Sequence, residues 1–209
     1  MSEILCVTWR VTPLHPPRPR RHCGSCKTTT PFVSSGRFRT NAQKKRLDIW
    51  LIYRCAVCDG TWNMPIVERC PVVHIPPDQL QCFMHNDPMT AIRHAFDLSL
   101  LARHSDQIEH DMATAIEKRI DGGNFADATY LDIAIVLSLS CRLRLDALLA
   151  RELGVTRSAL LKLCEAGAIV LTSLKAIRAP AFDGQRIRID LAKTRQCCVE
   201  PDKFMKQAT

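Results

Sequence analysis

A chain of 209 residues with 46% hydrophobic and 24% charged side chains has enough apolar material for a real core, which excludes disorder over most of its length. No apolar run approaches the roughly 20 residues of a membrane-spanning helix. Residues 1–10 lack the basic start, apolar stretch and small-residue cleavage site of a secretory leader, so the expected compartment is the cytoplasm.

The net charge of +8 is unevenly spread. Residues 1–60 carry 11 Lys+Arg against 3 Asp+Glu, residues 61–140 carry 5 against 11, and residues 141–209 carry 13 against 7. Two basic ends around an acidic middle point to a polyanionic partner, most simply nucleic acid. A solvated surface without a partner fits the charge equally well.

In chain order, Pro13, Pro16, Pro17 and Pro19 with Arg18, Arg20 and Arg21 make an extended basic arm. The arm leads into Cys23-Gly-Ser-Cys26, and 28 residues later Cys55-Ala-Val-Cys58 follows. Each CxxC forms a tight turn that aims two sulfurs at one point. Four thiolates fill the tetrahedral shell of Zn²⁺ with no open position, so Cys23, Cys26, Cys55 and Cys58 are the expected ligands of one structural zinc ion. An odd count of 11 cysteines argues against a closed disulfide framework. The isolated ones (Cys6, Cys70, Cys82, Cys141, Cys164) read as small buried hydrophobes, and Cys197 and Cys198 as idle thiols in a polar tail.

Between the two cysteine pairs, Phe32–Arg39 and Leu47–Arg54 read as ribbon strands, with Trp62 placed to cover the site. Arg37, Arg39, Lys44, Lys45 and Arg46 lie on or between these strands with Phe38, Trp50 and Tyr53 interspersed, a mixture suited to phosphates and unpaired bases. Core packing is the simpler role for Trp50 and Tyr53.

Pro71, Pro76 and Pro77 mark the expected end of the ribbon. A helix is predicted over 88–103, with Asp87 as N-cap and Pro88 at its first position. Asp121-Gly-Gly-Asn124 is a turn, and the alternation from Leu131 to Leu139 predicts a strand. Residues 142–171 then read as two helices. Leu145, Leu148, Leu149 and Leu153 form one apolar face, Gly154 ends the first helix, Thr156 caps the second, and Gly167 ends that. Short strands are expected at 168–171 and, beyond the Asp183-Gly184 turn, at 185–191.

This last segment resembles the S4-type RNA-binding domain, through Arg144-Leu145-Asp146 at the first helix, Thr156-Arg157 at the second, and Gly184-Gln185-Arg186-Ile187 before the later strand. It departs from that family at Leu171-Thr172-Ser173-Leu174, where an Asn-Gly turn is usual, and at Gln185, where an acid is usual. The resemblance implies phosphate contacts at Arg144 and Arg157; helical geometry adds Arg151 and Lys162. The whole chain resembles a bacterial family known as domain of unknown function 1062, through Trp9-Arg10-Val11, the His22–Cys26 knuckle, Phe38-Arg39-Thr40-Asn41, Trp50-Leu51-Ile52-Tyr53 and Thr61-Trp62-Asn63. That resemblance implies a zinc-ribbon start and no activity.

The expected architecture is therefore α+β. It comprises a zinc ribbon with its basic arm (1–75), an acidic, partly helical middle (76–128), an S4-like helix pair with short strands (129–195) and a polar tail (196–209). The expected function is binding of structured RNA, ribosomal or transfer, by a zinc-stabilised cytoplasmic protein. Three other readings stay open: a DNA-binding regulator using residues 143–166 as a helix-turn-helix, a zinc-ribbon protein-interaction module without nucleic acid, and an enzyme. For the last, no P-loop, dinucleotide fingerprint, nucleophile elbow or HExxH is present, and His74, His85, His94, His104 and His110 form no clean ligand pair.

Overall fold

The computed structural model describes residues 3–110, 113–124, 126–139, 141–171 and 177–196. The chain divides into two compact units, one of Met1–Pro13 with Met112–Thr209, the other of Leu14–Asp111.

The unit of residues 14–111 is built on a five-stranded sheet. Its strands are β2 (Arg18–Cys23), β3 (Thr28–Gln43), β4 (Arg46–Cys55), β5 (Thr61–Pro71) and β6 (Gln107–Glu109), in the order β5-β4-β3-β2-β6. β4 shows why it is a strand: Leu47, Ile49, Leu51, Tyr53 and Cys55 are buried, while the residues between them face the other side. Three short helices, α1 (Pro77–Met84), α2 (Pro88–Ala95) and α3 (Leu98–His104), lie between β5 and β6. Phe83, Ala91, Ala95, Leu100 and Leu101 from these helices share one core with the buried face of β3, β4 and β5.

The expected caps are present. The Asp87 carboxylate accepts from the Thr90 backbone N–H at 2.7 Å, with Pro88 at the first helical position. The predicted 88–103 helix is two, however, because Asp97 accepts from the Leu100 N–H at 2.9 Å and starts α3 afresh.

The other unit holds β1 (Glu3–Pro13), β7 (Thr114–Gly122), β8 (Ala128–Leu137), α4 (Leu145–Glu152), α5 (Arg157–Glu165), β9 (Ile169–Val170), β10 (Arg186–Asp190) and α6 (Leu191–Gln196). Its strand order is β7-β1-β8-β10-β9. β1 lies inside this sheet, antiparallel to β7 and parallel to β8. Leu5, Val7, Trp9 and Val11 of β1 join Leu131, Ile133 and Ile135 of β8 in one core with Leu145, Leu148, Leu149, Leu160 and Leu163 of the helices. Thr156 caps α5 through the Ala159 N–H at 3.1 Å, and Gly154 and Gly167 take left-handed φ of 64° and 65°. Gly123, after β7, has φ 87°, and a Cβ there would lie 2.4 Å from the Ile4 carbonyl oxygen.

This architecture corrects the α+β expectation. Strands make up 46% of the structure and helices 27%, in two five-stranded sheets. The middle is not a helical region: after α3 the chain becomes extended as β6 and β7. Nor do the C-terminal helices stand as a pair with short accessory strands. They cover a sheet whose inner strand β1 comes from the other end of the chain, so their apolar faces are completed by Trp9 and Val11 as well as by each other. Local periodicity finds helices but not the sheet they pack on. Residues 172–175, Cys197 and Cys198 lie outside the described residues. Among the described residues, no helix is long and apolar enough to cross a membrane.

Candidate functional site

Cys23 ends β2 and Cys55 ends β4; Cys26 and Cys58 sit in the turns that follow. The two turns share one geometry. The Lys27 N–H donates to the Cys23 carbonyl at 2.8 Å and the Asp59 N–H to the Cys55 carbonyl at 3.0 Å, with left-handed φ of 56° and 59° at Lys27 and Asp59. Each turn thus folds its second cysteine back over its first. Pairing of Phe32 with Cys55 and of Cys23 with Thr28 brings the turns together through β3.

The four sulfurs lie within 4.8 Å of one another, Cys23–Cys58 at 3.5 Å and Cys26–Cys55 at 3.9 Å. Thiolates on a tetrahedral ion with bonds of about 2.3 Å stand roughly 3.8 Å apart. The arrangement is compatible with a metal site on all four.

The electrostatics point the same way. The Thr30 hydroxyl, 3.2 Å from the Cys55 sulfur, and the backbone N–H groups of Cys58 and Val57 bring the Cys55 thiol down to about 6. The Cys26 N–H lowers Cys23. Cys26 is pushed up to about 12, first by its hydrogen bond with Cys58, then by burial. Four sulfurs this close cannot all ionise without a cation among them. Gly60 leaves room for the cluster: a Cβ there would approach the Cys58 sulfur to 3.2 Å.

Trp62 packs beside the site, edge-on to Phe32 at 5.7 Å and tilted against Tyr53 at 5.2 Å, with the Arg21 guanidinium 4.4 Å over its ring. Tyr53 is fully buried, as expected for core. Its hydroxyl has no hydrogen-bond partner among the described residues, and burial pushes its pKa upward.

Trp50 behaves differently. Its neighbours Ile49 and Leu51 are fully buried, so the half-buried indole belongs to the opposite face of the sheet. It pairs across the strands with Arg39, while Arg46 and Arg54 share its face by alternation. Arg37, Arg39, Lys44, Lys45 and Arg46 are all exposed, and none forms an ion pair among the described residues. Lys44 and Lys45 are the two turn residues between β3 and β4, with φ of 48° and 63°. Left-handed backbone costs a residue with a Cβ about 1–2 kcal/mol. The structure adds Arg69 on β5, which sequence spacing does not flag. Its carbonyl accepts from the Arg46 guanidinium at 3.0 Å.

The family described as Protein of unknown function (DUF1062) matches residues 40–175. The chain belongs to this family. No curated protein and no solved structure gives a significant match. The matched span includes Trp50, the Lys44-Lys45 turn, Cys55 and Cys58; it begins after Cys23 and Cys26.

The C-terminal residues expected to grip phosphate are arranged less favourably. Arg144 forks the Asp146 carboxylate at 3.0 and 2.7 Å. Arg151 is held by Glu152 at 2.9 Å and by the Thr114 hydroxyl at 2.8 Å, and Glu152 also pairs with the buried Lys118 at 3.0 Å. Arg157 and Lys162 are exposed on α5. Half of that set is therefore committed to intramolecular pairs.

Proposed function

We propose that this protein is a zinc-stabilised RNA-binding protein of the cytoplasm, with its RNA surface on the unit of residues 14–111. Zn²⁺ is the ion that suits four thiolates at this spacing, as in a zinc ribbon, and its role is structural because the donor set leaves no position open. It clamps the ends of β2 and β4 and so holds the sheet that carries the interface.

The observation that carries the RNA reading is the outward placement of Trp50, directly across from Arg39 on the hairpin whose turn is Lys44-Lys45 and whose second strand opens on Arg46. An indole face stacks on an unpaired base while neighbouring cations neutralise the adjoining phosphates. Duplex DNA keeps its bases stacked inside and offers the indole nothing; the loop of a folded RNA offers both groups together. This favours RNA over the helix-turn-helix reading of residues 143–166, which gives the outward indole of Trp50 no role.

Competition between a hairpin RNA and a DNA duplex of equal length and salt tests the proposal. The RNA is expected to win, and Trp50→Ala to remove most of its advantage. Equal or stronger binding to the duplex would favour the DNA regulator. No binding to either would leave a zinc-stabilised protein-interaction module as the better account.

A further inference from the structure

Trp50 and Arg39 do not account for the end of the sheet where β3 turns into β4. Two-residue hairpin turns of this shape favour Asn-Gly or Asp-Gly, because both positions need left-handed backbone. Here they are Lys44 and Lys45. A third cation, Arg69, is also left-handed, with φ 48°. It sits where β5 carries an extra residue: Leu47 pairs with Cys70, yet Ile49 pairs with Val67.

Specific bonds hold this backbone in place. The Arg69 N–H donates to the Asp48 carboxylate at 2.7 Å, and the Val72 N–H donates to the Lys45 carbonyl at 3.0 Å. With the Arg46–Arg69 bond, they gather Gln43, Lys44, Arg46, Asp48 and Arg69 around one open cleft. Lys44, Lys45 and Arg69 thus hold left-handed backbone at one end of one sheet, and strain of this kind clusters at ligand sites.

The charge of the cleft narrows the ligand. Lys44, Arg46 and Arg69 face one carboxylate, which already accepts a backbone N–H, so the formal balance is +2. A phosphate monoester carries close to −2 at neutral pH, whereas an internal phosphodiester carries −1. The geometry points to a clamp for a terminal phosphate monoester, the 5′-phosphate of a bound RNA. The choice of RNA as its carrier rests on the function proposed above; the phosphate chemistry does not.

The test uses the full zinc-loaded chain. Titration with inorganic phosphate at constant ionic strength should give saturable amide shifts at residues 43–48 and 69, read by ¹H–¹⁵N spectra. Glycine accepts left-handed backbone without strain, so K44G/R69G should lose those shifts while melting no earlier than the wild type. K44Q keeps the demand on the turn and should also weaken phosphate binding, which covers the case of an unstable double variant. A 5′-phosphorylated hairpin RNA should bind more tightly than its 5′-hydroxyl twin by about fivefold, the scale of one exposed ion pair, and K44G/R69G should erase that ratio. Absence of saturable shifts at these residues overturns the clamp, whatever the RNA does. Phosphate shifts with equal affinity for the two RNAs overturn the terminal-phosphate assignment and leave the RNA reading intact. Phosphate shifts with no RNA binding at all overturn the RNA reading and the carrier assignment with it.

Discussion

Cys55 shows how one neighbour would tune the proposed zinc site. Its sulfur lies 3.2 Å from the Thr30 hydroxyl, which would donate to it as a thiolate, and Thr30 is buried, so no water replaces that bond if it is removed. Thr30→Val should weaken zinc binding by about tenfold, the lower end for loss of a group that supports a ligand, as read by competition with a chelator. Unchanged affinity would mean that the hydroxyl does not donate to the sulfur. Cys55→Ser should cost the metal itself and lower the melting temperature; elemental analysis that finds no zinc in the wild-type protein would remove the basis of both expectations. His94 is a separate case. It is packed between Phe38 at 6.0 Å and Phe83 at 5.6 Å, and burial holds its pKa below the usual value near 6.5, against the pull of Asp97. The unfolded chain therefore takes up this proton first. The stability tied to the neutral ring is complete above the unfolded value and is lost as pH falls below it, through the lower folded value. Melting temperature should fall between pH 7.5 and 5.5 more steeply in the wild type than in His94→Gln. Parallel curves would show that His94 is not the titrating group.

At the scale of elements, the β3–β4 hairpin and the α4–α5 helices make opposite predictions for their arginines. Arg39 is exposed and carries no ion pair among the described residues, so its charge is available to a phosphate. Arg39→Ala should make the plot of log affinity against log salt shallower by about 0.7 to 0.9, one released counterion. A slope equal to the wild type's would take Arg39 out of the interface. Arg144 precedes α4 and forks Asp146, whose side chain is only 7% exposed. Removing it strands a buried carboxylate. Because the arginine itself is half exposed, solvent screens the pair and the cost should be modest. Arg144→Ala should thus lower stability in denaturant melts and leave RNA affinity and salt slope alone. An altered slope in a fully folded Arg144→Ala protein would return α4 to the interface.

Over the whole molecule, the order of the chain and the make-up of the units differ. Residues 14–111 form a continuous unit that contains all four clustered cysteines. The other unit needs β1, which crosses from the start of the chain to sit between β7 and β8. Leu5, Val7, Trp9 and Val11 are each at most 2% exposed. Losing four buried side chains of this size costs on the order of 10 kcal/mol, comparable with the whole stability of a domain. A 14–111 fragment should therefore bind zinc and melt cooperatively. In a protein truncated to 14–209, the segment from residue 112 onward should show no protected amides in hydrogen exchange. Native-like protection there would mean that β1 is dispensable.

What the sequence determined alone is what a few adjacent residues decide. The paired CxxC turns, the Asp87 and Thr156 caps, the glycines closing α4 and α5, and the alternation of β4 and β8 are all governed by contacts within a few residues. The clustering of Cys23, Cys26, Cys55 and Cys58 was legible for that reason. Strand partners were not, because an alternating stretch such as Leu5, Val7, Trp9, Val11 says which face is buried and nothing about what lies beside it. β7 was concealed further: Lys118 fills a buried position on it, 5.0 Å from the Trp9 ring and paired with Glu152, so a cation interrupts the apolar period. The role of Trp50 depended on which face of β4 the helices cover, and the gathering of Arg69 with Lys44 on an extra residue in a strand more than twenty positions away. Those placements join distant parts of the chain, and only the tertiary structure decides them, since their energy comes from surfaces that meet only once the sheets have formed.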